Sequence, residues 1–315
     1  MMKLLIGYDG SSCARACLDD LRRAGLPRDA EAILLTVSEI WLPHLTRNNR
    51  GSETQARSSQ ISEIVATSAE PVTEARALAL AGKRILQSHF PCWQIRAEDA
   101  TGSPAREILK KADGWHPDLI AVGSQGHSGL GRFFLGSVSQ KVVNEARCTV
   151  RVSRGTAWKD GSPVRMLVGL DGSPGSNAVI QAISTRMWPP GSEVRLITIV
   201  DPPTASSGSP LHEFFRKEVS GSSESIPACV CEAVEAATKR LQAAELVVSS
   251  KVEEGDPKQL IIANAEEWGA ECIFIGASQG HGPLEQLLLG SVATAVVARA
   301  HCSVEVVRDR TGERP

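Results

Sequence analysis

A chain of 315 residues is long enough for about two domains of ~150 residues each. Its 42% hydrophobic content supports packed cores, and 22% charged residues with a net charge of −2 leave no charge block that would make a nucleic-acid arm or a disordered tail. Aromatic residues are only 4% and do not alternate with Lys or Arg, which disfavours a single-stranded nucleic-acid platform, and no apolar run reaches the ~18 residues of a membrane span.

The N-terminal apolar run, Leu4, Leu5 and Ile6, is too short for the apolar core of a secretory leader, and no small-residue cleavage site follows it. A cytoplasmic protein is therefore expected. The eight cysteines agree: spacings such as Cys13-x3-Cys17 and Cys229-x-Cys231 contain no Cys-x-x-Cys pair, and no histidine cluster completes a metal set. They read as small buried hydrophobes, with Cys148 and Cys302 at matching places before short β-like runs.

In chain order, residues 3–8 form an apolar run that predicts a first strand. Cys13, Ala16, Cys17 and Leu21 then fall at helical spacing and predict a helix over 12–24. A second strand is predicted over 32–37, followed by a polar excursion over 39–69 rich in Ser, Thr, Asn and Arg. Glu70 and Pro71 open a long helix to about residue 88, and 93–98 alternates enough for a third strand. Pro104 after Ser103 marks a helix start, because proline loses nothing at the first helical position. The fourth strand is predicted over 119–122, a helix over 138–146, and the fifth strand over 149–152.

Residues 154–163 have linker composition, and the plan then repeats. Residues 3–17 match 165–179 at an offset of 162; Gly102 matches Gly255 at 153; Gly126 and Cys148 match Gly280 and Cys302 at 154. The repeat predicts strands near 165–170, 194–200, 247–253, 272–275 and 303–307, with a second polar excursion over 201–225. The expected organisation is one domain over 1–153, a linker, a second domain over 164–308, and a tail over 309–315. Alternating β and α with nearly continuous apolar strands predicts an α/β fold: two tandem doubly wound domains, each with a parallel sheet covered by helices on both faces. Ligands of such sheets sit beyond the carboxyl ends of the strands.

At that edge lies Gly123-x2-Gly126-x9-Gly136-Ser137, a glycine loop between the fourth strand and a helix. Its glycines let backbone approach a ligand, and the free N–H groups and dipole of the helix favour phosphate. A Walker loop is set aside because Ser137 stands where its lysine belongs. A dinucleotide fingerprint is set aside because Phe134 replaces the third glycine and the loop follows the fourth strand, not the first. Asp9 and Asp171 end the first strands ahead of Ser11 and Ser173. They serve either local helix capping or contact with a ribose or base. Arg132 lies inside the first loop and reads as a phosphate contact or as a solvated surface arginine. No nucleophile–base–acid trio appears at plausible spacing, so no catalytic residues are assigned.

Two copies of a strand ending in Asp-Gly-Ser, a Gly-x-Pro helix start and the long glycine motif resemble the universal stress protein family, in its ATP-binding branch. The resemblance implies five-stranded sheets of order 3-2-1-4-5 and an adenine-nucleotide site. Asp9 and Val37 would lie toward base and ribose, with Gly123, Gly126, Gly136 and Ser137 at the phosphates and Arg132 nearby. ATP is the implied cofactor, with Mg²⁺ as its counter-ion and no protein metal site. The resemblance also implies pairing through the fifth strands, here within one chain, with a further homodimer as a possibility. The matching second site comprises Asp171, Ile199, Gly276, Gly280, Gly290 and Ser291. Its loop is one residue longer and carries Pro283, which removes an N–H donor, and Glu285, which brings negative charge to a proposed anion site; weaker binding is expected there. The functions in view are an ATP-binding stress or signalling protein, a slow ATPase or autophosphorylating protein with Ser137, Ser139 or Ser291 as acceptor, and a nucleotide-free interaction module.

Overall fold

The short apolar runs of the sequence become the inner strands of one large sheet. The computed structural model describes residues 1–39, 73–126, 135–155, 161–200, 228–277 and 289–308. The first half runs β1 (Met2–Gly7), α1 (Ser12–Asp20), a 3-10 turn (Leu21–Arg23), β2 (Ala30–Ser38), α2 (residues 73–89), β3 (Gln94–Thr101), α3 (Pro104–Trp115), β4 (Leu119–Gly123), α4 (Ser137–Glu145) and β5 (Thr149–Ser153). The second runs β6 (Arg165–Gly169), α5 (Pro174–Ser184), β7 (Glu193–Val200), α6 (Ala228–Gln242), β8 (Val247–Glu254), α7 (Pro257–Trp268), β9 (Cys272–Gly276), α8 (Ser291–Arg299) and β10 (Ser303–Val307). The expected start of α2 at Glu70, most of the first excursion and the whole of the second lie outside the described residues.

The helix expected over 12–24 stops being α-helical at Asp20 and tightens into the 3-10 turn. Helix starts obey the local chemistry. The Ser11 and Ser173 hydroxyls accept N–H bonds from Ala14 and Ser176, and Asp256 accepts from Lys258 ahead of Pro257.

The strands lie in the order β3-β2-β1-β4-β5-β10-β9-β6-β7-β8. Every neighbouring pair is parallel except the central one, β5 with β10, which is antiparallel. Alternation along the strands divides the core. Leu5, Ile33 and Ile120 face one continuous layer under α3, α4, α7 and α8 that spans both halves. On the opposite face Leu4, Ile6 and Leu34 pack under α1 and α2, and Met166, Val168 and Leu196 under α5 and α6. Cys17, Cys148, Cys272 and Cys302 are buried in these layers. Burial pushes the thiols of Cys17 and Cys302 up to about 12 and that of Cys272 higher still, which makes them inert packing groups.

Candidate functional site

The first site forms where β1 and β4 end side by side. The Asp9 carboxylate accepts the Ser11 N–H at 3.0 Å while Ser11 caps α1, so the Asp-Gly-Ser segment is a turn that launches the helix. Gly10 supplies its left-handed residue, at φ 79°. The second carboxylate oxygen of Asp9 faces Gly126: a Cβ placed on that glycine would lie 3.0 Å from it. One Asp9 oxygen thus serves the helix turn, and the other lies at the glycine loop.

The loop is drawn shut at its neck. The Gly136 N–H donates to the Ser124 carbonyl at 2.8 Å, and a Cβ on Gly136 would lie 3.4 Å from the Gln125 Cα. Gly126 and Gly136 are therefore neighbours at the start of α4. Gly136 is the N-cap residue of α4, with no side chain capping the helix, and Ser137 is exposed at its first position. Gly136 therefore offers the first N–H groups of α4 no capping side chain, and the positive end of the dipole points the same way. Val37 lies half-buried near the end of β2, beside the β1 edge. The structure thus brings Asp9, Gly126, Gly136 and Ser137 together, with Val37 along the same strand edge. Arg132 lies outside the described residues.

Gly123 has a packing reason of its own. A Cβ there would stand 2.9 Å from the Cys13 carbonyl oxygen and 3.2 Å from the Ala14 nitrogen, so glycine lets α1 lie against β4. Sequence reasoning missed Ser124 and named Ser139 only as a phosphate acceptor. Ser124 links the loop neck to β5 by its N–H to the Ser153 carbonyl, and the buried Ser139 hydroxyl donates to the Gly123 carbonyl at 2.6 Å. That bond occupies Ser139, which removes it as an accessible phosphate acceptor.

The second site repeats the frame. Asp171 accepts from the Ser173 N–H at 3.0 Å, and Gly172 takes φ 71°. A Cβ on Gly276 would fall 2.6 Å from the Gly175 carbonyl carbon, a closer approach than at Gly123. Gly290 leads into α8 without a side-chain cap, with Ser291 exposed, and Ile199 is half-buried at the end of β7. Ala293 stands where the first half has Ser139, so the hydroxyl bond to the loop is missing. Gly280, Pro283 and Glu285 lie outside the described residues.

A doubly wound α/β chain with two matched glycine-loop edges is the class of protein that fold and site define. The model of the universal stress protein family matches residues 1–154 and 164–308, and the chain belongs to that family. It is 32% identical to the universal stress protein YxiE of Bacillus subtilis over 158 residues, 48% of this chain and 98% of that one. It is 48% identical to a universal stress protein of Thermus aquaticus over 63 residues, which cover 19% of this chain and 46% of the relative. A universal stress protein from Archaeoglobus fulgidus superposes with a TM-score of 0.58 at 20% identity, covering 99% of this chain and 97% of that one, a likeness of fold. Among the described residues no helix is long and apolar enough to cross a membrane, and no group of three His, Cys, Asp or Glu is arranged to hold a metal.

Proposed function

We propose that the chain is an adenine-nucleotide-binding stress-response protein whose first half carries the tighter site. ATP, with Mg²⁺ as its counter-ion, is the ligand, and occupancy rather than turnover is the signal. The observation that carries this is the neck of the first loop: Ser124 holds Gly136 against Gly126 and leaves the α4 N-terminus uncapped opposite Asp9. That is a pocket edge with N–H donors for phosphates and a carboxylate for ribose hydroxyls. The second site keeps the frame but loses the Ser139 bond, and its loop sequence brings Glu285 and Pro283, which supports weaker binding. The domain division at 154–163 and the use of the β5–β10 ladder as an internal dimer interface belong to the same reading. Residues 154 and 303–308 knit the two halves at that ladder.

Titration calorimetry with Mg·ATP tests the reading. Gly126→Val puts side-chain atoms against Asp9 and is expected to weaken the tighter binding by about tenfold or more, or ~1.4 kcal/mol. Gly280→Val is expected to leave that phase in place. Loss of most binding in Gly280→Val, with Gly126→Val unaffected, overturns the assignment.

A further inference from the structure

The two halves meet where β5 and β10 run antiparallel, and the register has a particular centre. Val304 faces Val152, Glu305 faces Arg151, and Val306 faces Val150. Under the repeat offset of 154, Val304, Glu305 and Val306 are the counterparts of Val150, Arg151 and Val152. The ladder is therefore centred on one position that meets its own counterpart, and that position is arginine in one half and glutamate in the other.

Several contacts around this centre are reciprocal. Arg154 donates to the Val297 carbonyl of α8 at 2.6 Å, and its counterpart Arg308 donates to the Val143 carbonyl of α4 at 2.6 Å. The Arg154 N–H donates to the Ser303 hydroxyl, and the Arg308 N–H to the hydroxyl of Thr149, the Ser303 counterpart. Such contacts would form equally well between two identical halves.

The central charges are not reciprocal. Arg151 bonds Asp20 at 2.7 Å and Glu305 at 3.1 Å, and Glu305 also pairs with Arg186. Arg151 and Glu305 are 1% and 0% exposed, so water does not screen them. The row reads Asp20, Arg151, Glu305, Arg186, alternating minus and plus. The counterparts of Asp20 and Arg186 are Ala182 and Ala24, so neither half can supply the other's outer charge.

We infer that this row makes the junction selective for unlike halves, so that the fifth strand of one half accepts that of the other half and rejects a second copy of itself. A pairing of two first halves would set Arg151 against Arg151 at the axis, and two second halves would set Glu305 against Glu305. Like charges directly opposite in an antiparallel ladder repel, and a buried ionic group acts here as a registry device. The apolar and reciprocal contacts hold the halves together; the row chooses the partner.

The test uses the whole chain with a protease site in place of residues 156–160, cut after folding, then unfolded in urea and refolded. Native mass spectrometry counts pairs of unlike and like halves. Unlike pairs are expected to exceed like pairs by at least about tenfold, the ratio that a modest like-charge penalty produces. In Arg151→Met/Glu305→Met, which removes the facing charges, that excess is expected to fall toward the statistical mixture. Like pairs as abundant as unlike ones in the cut protein that keeps Arg151 and Glu305 overturn the inference, whether or not the double variant refolds. Equal selectivity in a refolded double variant overturns it as well.

Discussion

Glycines in this chain do different jobs, and the space around each one tells them apart. A Cβ on Gly276 would meet the backbone of Gly175 at 2.6 Å, which cannot be relieved without parting α5 from β9. A Cβ on Gly169 would meet only side-chain carbons of Ile261 and Ile275, at 3.6 and 4.0 Å. Gly276→Ala is therefore expected to cost about 1–3 kcal/mol in urea unfolding, whereas Gly169→Ala should stay within about 0.5 kcal/mol of wild type. Equal effects would show that the approach of α5 to β9 is not what requires glycine. Sequence spacing marked both Gly123 and Gly276 as loop glycines, but only the packed helix shows that each also makes room for backbone. Asp9 shows the same limit: its spacing was compatible with a turn or a ligand contact, and the fold gives its two oxygens separate surroundings.

Elements were legible where local chemistry alone sets them. The apolar runs of β1, β4, β5 and β9 and the Pro104 helix start stand within a residue of expectation. The end of α1 was not legible, because the apolar spacing continues through Leu21. In the structure Asp20 is held by Arg151, Ser153 and Ser303, residues 131 or more positions away, and the chain tightens into a 3-10 turn there. Among the described helix starts, α1 and α5 carry serine caps, whereas α4 and α8 begin on glycine without a side-chain acceptor. Ser173→Ala is expected to lower stability by about 1 kcal/mol with nucleotide affinity in the first half unchanged, as measured by denaturation and calorimetry side by side. A fall in first-half affinity would mean that the two edges are coupled through the sheet.

At the scale of the molecule, a single sheet and a core layer shared by α3, α4, α7 and α8 cross the junction. Buried bonds reinforce it: Arg23 pairs with Glu271 at 2.6 Å and donates to the Ser162 and Pro163 carbonyls, so the end of the linker is fastened to the first half. Urea unfolding followed by far-UV circular dichroism and by tryptophan fluorescence is expected to give one transition with coincident midpoints. Two resolved transitions would show that the halves unfold independently despite the shared layer.

The sequence by itself determined the duplicated β–α order, the glycine loops at the strand ends and the family, because these rest on periodicity, turn chemistry and repetition within short windows. Tertiary structure alone decided the register in which the halves are matched. Arg151 and Glu305 are single charges in short apolar strands, and 154 positions separate them. Only the antiparallel register sets them face to face, in a core where burial makes unpaired charge costly and the alternating row its remedy.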